Sequence, residues 1–243
     1  MRLIFVRHGE PDYKNDCLTE NGVLQAKATA QRLRQEKISA IYSSPMGRAM
    51  QTASFTAEQQ GLTITQLPFM HEVDWGTSPE AAAEGREVPF DGHPWTLACK
   101  LLTENPEYLE KDRDLWPQHP YFRDNRLLAE YRKVAAGVDA FLAGYGLKRQ
   151  GSSYICTRYG KEGDAFDDTI ALFAHGGSGA VLFAHLLNLP LPFVLSSLPY
   201  GVCSVSVFAL WPEQSEVVVP RLELFNDMGH LADVRQEKLH FDK

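Results

Sequence analysis

The chain has 243 residues, 44% of them hydrophobic and 23% charged, which is ordinary for a globular protein with one substantial core. Its net charge of -7, with no run of Lys and Arg, argues against a nucleic-acid partner but allows a small anion in a local basic pocket. No apolar run has the length of a secretory or membrane-spanning segment, so we expect a cytoplasmic protein without a membrane partner.

The four cysteines are too far apart to form a C-x-x-C pair or a zinc-type Cys/His cluster. We expect free thiols in a reducing compartment, no metal and no cofactor. The four residues are Cys17, Cys99, Cys156 and Cys203.

The first part of the chain alternates strand and helix patterns. A continuous apolar run is typical of a strand buried on both faces, and apolar residues at helical spacing indicate an amphipathic helix. The predicted elements are a strand at 3–6, a helix at 19–36 capped by Thr19, a strand at 38–43, a helix from Ser44-Pro45 to Gly61, and a strand at 62–67. This order favours right-handed crossovers in an α/β fold.

Residues 77–127 break the alternation with six prolines and several large aromatic residues. Disordered segments are poor in aromatics, so we predict an ordered insertion, a cap or lid within a single domain at 1–243, with a helical stretch at 95–102.

The remaining elements complete the fold. They are a helix at 128–145, strands at 154–158 and 169–174 joined as a hairpin with an acidic tip at 160–168, a helix at 177–187, and closing strands at 202–210 and 216–224. Together the elements predict a three-layer α/β/α sandwich with a central, mostly parallel sheet.

Polar residues follow several of the predicted strands. In open α/β sheets, ligands bind beyond the carboxyl ends of the strands. A lone histidine or arginine there is usually structural, but a convergent set indicates a site. The set is Arg7 and His8 after the first strand, Arg48 after the second, Glu72 after the third, and His175 and Gly176 after the strand at 169–174.

These residue types suit phosphoryl transfer. Guanidinium groups match phosphate geometry, and helix N-termini add N–H donors. One imidazole can attack phosphorus, a carboxylic acid can protonate the leaving oxygen, and a second imidazole can stabilise negative charge. A metal site made by His8, Glu10, Asp12 and His175 is the alternative, which the nearby arginines disfavour because they would repel a cation.

Five stretches resemble, in order, the motifs of the histidine phosphatase superfamily, the phosphoglycerate mutase-like family. They are "RHGE", "LTENGVLQA", "SSPMGRAMQTA", the glutamate of "HEVDWG", and "AHGGSGAVL". The resemblance implies the phosphoglycerate mutase-like fold and an enzyme that forms a phosphohistidine.

The resemblance implies a role for each matching residue. His8 matches the nucleophile, Glu72 the proton donor, and Arg7, Arg48 and protonated His175 the phosphate pocket, with Gly176 beside them. Asp74 and Glu80 are alternative acids, and His230 of the late "NDMGHL" is given a structural role. The family's pocket asparagine falls at Lys14, and Asn15 is the nearest match.

Three functions remain open at this point. We predict a phosphatase acting on a small phosphorylated substrate, because the Glu-Arg-His-Tyr-Gly pattern of the family's mutases is replaced by Glu-Val-Asp-Trp-Gly at 72–76. A mutase is the first alternative, and a phospho-ligand binding protein without turnover is the second. The sequence names neither the substrate nor the oligomeric state.

Overall fold

The structure is a computed structural model that describes residues 1–110, 112, 114–161 and 168–234. It divides into two compact units. The first contains Met1–Glu72, Asp139–Gly179 and Tyr200–Lys243, and the second contains Val73–Val138 and Ala180–Pro199.

All strands of the described residues belong to the first unit. They are β1 (Arg2–Arg7), β2 (Pro11–Asp12), β3 (Cys17–Leu18), β4 (Ile38–Ser43), β5 (Ile64–Gln66), β6 (Leu147–Gln150), β7 (Ser153–Cys156), β8 (Thr169–Ala174), β9 (Val205–Ala209), β10 (Val217–Val218) and β11 (Arg221–Asp227).

The main sheet has the strand order β11-β9-β1-β8-β4-β5. The pairs β1/β8, β8/β4 and β4/β5 are parallel, whereas β9 pairs antiparallel with both β1 and β11. The predicted fold class, a mostly parallel central sheet flanked by helices, is confirmed. The parallel strands bring their carboxyl ends to one edge, where the predicted site residues follow them.

Helices α1 (Glu20–Leu33) and α2 (Gly47–Gln60) cover one face of this sheet. Ile4 and Val6 of β1 lie in the same buried cluster as Leu33 of α1 and Ala53 of α2. Phe5 points to the other face, because side chains alternate along a strand. The burial of successive residues on both faces explains why residues 3–6 read as one continuous apolar run.

Several local predictions are confirmed and one helix start is corrected. The Thr19 hydroxyl accepts the Gly22 N–H at 3.0 Å as the N-cap of α1, and Gly61 ends α2 with a left-handed φ of 67°. The second helix begins at Gly47 with Met46 at the N-cap position, so the prediction of Ser44 as its N-cap was wrong. The Ser44 side chain instead contacts His175.

Two strand predictions near the C-terminal half were also wrong. β7 pairs antiparallel with β6 and β10, whereas β8 lies in the main sheet, so residues 154–158 and 169–174 do not form a hairpin. The predicted strand at 216–224 is split between β10 and β11. Most of the predicted acidic tip, residues 162–167, lies outside the described residues.

The second unit is helical. Its elements are α3 (Pro79–Ala83), α4 (Pro94–Glu104), α5 (Glu107–Glu110), α6 (Pro120–Arg123) and α9 (Leu191–Ser197), and it shares α7 (Leu127–Gly144) and α8 (Gly176–Leu187) with the first unit.

The second unit has its own buried core and a charged cluster. Trp116 packs edge-to-face against Phe122 with ring centroids 5.3 Å apart. Asp124, 5% exposed, accepts hydrogen bonds from both Arg86 and Arg123 at 3.0 to 3.2 Å. The described residues within 77–127 form short helices and turns, and the role of this segment as a lid stays a prediction.

Candidate phosphate site

The candidate site begins where β1 ends. Arg7 is the last residue of the strand, and the His8 N–H still donates to the Ala174 carbonyl of β8 at 2.9 Å. This register places His8 beside His175, which directly follows β8, with ring centroids 5.1 Å apart. Two neighbouring parallel strands therefore deliver one histidine each to the same edge.

The hydrogen bonds of His8 define its tautomer. Its Nδ1 lies 2.7 Å from the Gly9 carbonyl oxygen, which can only accept, so Nδ1 carries the proton. The other ring nitrogen, Nε2, is then an acceptor and receives the Nε–H of Arg48 at 3.3 Å. His8 is buried, and its available lone pair points at a guanidinium group.

Burial and the nearby cations keep both histidines neutral. Burial, Arg7 and Arg48 hold the pKa of His8 well below its usual value. The pKa of His175 is strongly lowered by burial, by His8 and by Arg48. We predicted a protonated His175, but this imidazole is neutral in the site without phosphate. A proton on His175 would add to the positive charge of the nearby arginines.

Arg48 lies in the first turn of α2 and is held by an unexpected partner. Its Nη1 donates to Asp16 Oδ1 at 2.6 Å, and the Gly47 N–H donates to the other carboxylate oxygen at 2.6 Å. These contacts, with Arg48 the main cation, lower the pKa of Asp16 despite some burial. No sequence pattern points to Asp16, because nothing in its spacing shows that its loop approaches the start of α2.

Arg7 reaches the site from the opposite side of the strand. Its Nη1 donates to the Tyr200 carbonyl at 3.0 Å. A Cβ atom at Gly176 would lie 3.4 Å from Arg7 Cζ, so the guanidinium group rests on the first residue of α8. Arg7 and His8 thus serve one sheet edge although they face different helices.

Glu72 lies at the N-terminus of α8. Its Oε1 accepts the backbone N–H groups of Gly177 at 3.0 Å and of Ser178 at 2.9 Å. The alternative acids Asp74 and Glu80 belong to the second unit, where Asp74 pairs with Arg126 at 2.6 Å. Only Glu72 of these three belongs to the same unit as His8.

Ser44, which we predicted as a helix N-cap, contacts His175 instead. Its Oγ lies 2.7 Å from Nε2 of His175 and also accepts the Met46 N–H at 3.3 Å. The other ring nitrogen of His175, Nδ1, is buried and has no hydrogen-bond partner within the described part of the chain. Ser44 therefore orients the imidazole and leaves one nitrogen for another partner.

The structure places neither Asn15 nor Lys14, the candidates for the pocket asparagine position, in a buried environment. The Asn15 side chain is exposed and donates to Asp12 at 2.6 Å, and Lys14 is also exposed. Gly9 has no left-handed φ. It is required for close packing, because a Cβ there would lie 2.7 Å from the Gly22 carbonyl oxygen.

The geometry fits an anion better than a cation. Guanidinium groups from β1 and α2, the N-terminus of α8 and two neutral imidazoles surround one edge. No group of three or more His, Cys, Asp or Glu side chains that could hold a metal ion occurs among the residues described. No helix in the described ranges combines the length and hydropathy needed to cross a membrane.

Comparison with known proteins supports the sequence motifs. The model of the histidine phosphatase superfamily, branch 1, matches residues 3–118. A protein of Yersinia pestis named "Probable phosphoglycerate mutase" is 36% identical over 85 residues, and the match covers 31% of this chain and 40% of the relative.

Solved structures share the fold at low identity. A mycobacterial glucosyl-3-phosphoglycerate phosphatase superposes with a TM-score of 0.59 at 23% identity, covering 93% of this chain and 98% of the other. A phosphoserine phosphatase of Entamoeba histolytica, bound to 3-phosphoglyceric acid, gives 0.56 at 21%, covering 95% and 98%.

Proposed function

We propose that this chain, whose residues 3–118 match the model of the histidine phosphatase superfamily, hydrolyses phosphate monoesters of small metabolites through a phosphorylated His8, without a metal ion or cofactor. The observation that carries this proposal is the neutral, buried His8, whose Nε2 lone pair faces Arg48 at 3.3 Å. An imidazole nitrogen already deprotonated and beside a guanidinium group is prepared to attack phosphorus held by that group.

In the first step, the phosphoryl group replaces the Arg48–His8 contact. Arg48 and Arg7 bind its oxygens, and the Nε2 lone pair of His8 forms the N–P bond while the bond to the leaving oxygen breaks. Glu72 protonates that oxygen, so the alcohol leaves neutral. The proton on Nδ1 of His8 stays bonded to the Gly9 carbonyl, which holds the ring in the attacking orientation.

His175 acts as a neutral donor in this proposal. In this proposal the Ser44 hydroxyl donates to Nε2 of His175, 2.7 Å away, and the neutral ring carries its own proton on Nδ1. Nδ1 then donates to a phosphoryl oxygen. This role needs no protonated imidazole in the free enzyme, and it satisfies the buried nitrogen that otherwise has no partner among the residues described.

In the second step, water attacks phospho-His8. Glu72, now a carboxylate, accepts the proton of the attacking water, and the N–P bond breaks to release inorganic phosphate and neutral His8. The backbone N–H groups of Gly177 and Ser178 fix the orientation of this carboxylate between the two steps.

The test combines trapping and turnover. Wild-type enzyme quenched during hydrolysis of a phosphate monoester should contain an acid-labile phosphoryl group on His8. His8→Ala should lose it together with about 10³-fold or more of the activity. Normal hydrolysis by His8→Ala, with no labile phosphate in the wild type, would refute the mechanism.

A mutase is the second candidate, favoured by the name of the Yersinia relative. It would return the phosphoryl group of phospho-His8 to a second hydroxyl of the substrate. In this chain Val73 and Asp74 follow Glu72, so the Arg-His pair that would help hold a doubly anionic substrate is absent from these positions. Interconversion of 2- and 3-phosphoglycerate faster than phosphate release, followed by ³¹P NMR, would establish the mutase instead.

A further inference from the structure

Residues 200–203 touch three parts of the phosphate site, and nothing in the proposed mechanism uses them. We propose that Tyr200 is a positioning residue of the phosphate pocket: its carbonyl sets the Arg7 guanidinium group and its hydroxyl holds the backbone where α8 begins. The inference rests on the proposed function, since it assigns Tyr200 to the binding of the transferred phosphoryl group.

The carbonyl of Tyr200 restricts Arg7. It accepts the Nη1–H at 3.0 Å, and the same guanidinium group also lies close to Gly176. An arginine side chain loses much rotational freedom when it binds a ligand. A carbonyl that already fixes the guanidinium group reduces this loss.

The hydroxyl of Tyr200 acts at a second point of the same pocket. It donates to the Gly176 carbonyl at 2.5 Å, with the His175 carbonyl at 3.3 Å. The His175 carbonyl belongs to the peptide bond that joins His175 to α8, and the Gly176 carbonyl belongs to the next peptide bond, whose N–H donates to Glu72. One buried residue therefore contacts Arg7 through its carbonyl, and His175 and the start of α8 through its hydroxyl.

The surrounding structure is shaped to admit this hydroxyl. A Cβ atom at Gly179 would overlap Tyr200 Oη and Phe5 Cζ, so only glycine leaves room there. The Tyr200 ring packs edge-to-face on Phe5 with centroids 5.8 Å apart.

The late "NDMGHL" motif anchors the same loop. The Asn226 side chain accepts the Gly201 N–H at 2.9 Å, and Nε2 of His230 lies 3.1 Å from the Cys203 carbonyl oxygen. The Cys203 N–H in turn donates to the carbonyls of Arg7 and His8 at 3.0 and 3.2 Å. The motif thus binds the loop at residues 200–203, while Tyr200 and Cys203 of that loop contact the residues of the phosphate site.

The test compares two tyrosines that each lose one buried hydroxyl. Tyr200→Phe keeps the ring and the carbonyl but removes the hydrogen bonds to Gly176 and His175. Tyr154→Phe is the matched control, because Tyr154 is equally buried in the first unit and its hydroxyl donates to Asp139 at 2.8 Å, away from the site residues. Inorganic phosphate is the probe, titrated by calorimetry against each folded protein.

We expect Tyr200→Phe to weaken phosphate binding about five- to tenfold and to lower kcat/KM by a similar factor, as expected for one buried hydrogen bond. Tyr154→Phe should bind phosphate within twofold of the wild type, although both variants lower the urea midpoint. Equal phosphate affinity in Tyr200→Phe and Tyr154→Phe would overturn the positioning role alone. No phosphate binding by the wild type would overturn the proposed function and this inference with it.

Discussion

Arginines in the two units are balanced in different ways. In the second unit, Arg86 and Arg123 share the buried carboxylate of Asp124, which satisfies them internally. In the phosphate site, Arg48 is 6% exposed, but its carboxylate partner Asp16 is 41% exposed and its other edge faces a neutral ring nitrogen.

The pKa values of the histidines reflect this difference. Burial lowers the pKa of both His8 and His175, and Arg7 and Arg48 lower it further, so the positive charge of the arginines acts on both imidazoles. In the second unit, Arg123 and Arg86 instead lower the pKa of the Asp124 carboxyl that pairs with them. A cluster that is satisfied internally supports the fold, whereas one whose positive charge is only partly balanced is prepared to bind an anion.

The largest expected effect comes from removing the incompletely balanced cation. Arg48→Gln should lower kcat/KM about 10²- to 10³-fold, because a charged donor to the transferring oxygens is lost. Steady-state kinetics and phosphate titration measure this. Wild-type kinetics in Arg48→Gln would show that the guanidinium group is structural, like those of the second unit.

The next prediction concerns acid stability. As the pH falls below 6.5, an unfolded chain binds a proton at each imidazole, whereas the folded site resists protonation at His8 and His175. Acid therefore stabilises the unfolded state. Between pH 6.5 and 5, the loss of unfolding free energy from each of these two histidines should rise from about 0.7 to about 1.3 kcal/mol per pH unit.

Urea unfolding at several pH values tests this slope. His8→Asn and His175→Asn should each lose less stability on acidification than the wild type, whatever their stability at pH 7.5. Parallel curves for the three proteins would mean that both imidazoles titrate normally, and that the field of the arginines is already neutralised.

The smallest effect on activity is expected in the second unit. Asp124→Asn removes the charge that Arg86 and Arg123 share, so the urea midpoint should fall. Phosphate affinity should stay within twofold of the wild type. Urea unfolding and phosphate titration of the same preparation separate the two outcomes, and weakened phosphate binding at an unchanged midpoint would contradict the comparison.

Sequence reasoning succeeded where one residue type in one local pattern determines the structure. The apolar run at 3–6, the Thr19 cap and the left-handed Gly61 each depend on interactions within a few residues or on burial on both faces. The same holds for the expected positions of Arg7, His8, Arg48 and His175, because strand ends are local features that the sheet then brings together.

It failed where the deciding partner is distant along the chain. Ser44 has the local pattern of an N-cap, yet its hydroxyl meets His175, 131 residues away. Tyr200 and Asp16 have no motif at all, and their roles depend on loops that meet the site only after folding. The hairpin predicted between 154–158 and 169–174 was wrong for the same reason, because β8 pairs with β1 and β4 instead.

The position of β1 in the sheet has a consequence for biosynthesis. β1 lies between β8 and β9, both of which are translated long after it. A nascent chain that has passed α2 therefore carries β1 with both of its edges unpaired, a state prone to mispairing and aggregation. His8 emerges from the ribosome well before His175, so the site is assembled only after β8 has been translated, and a chain truncated before β8 has no site.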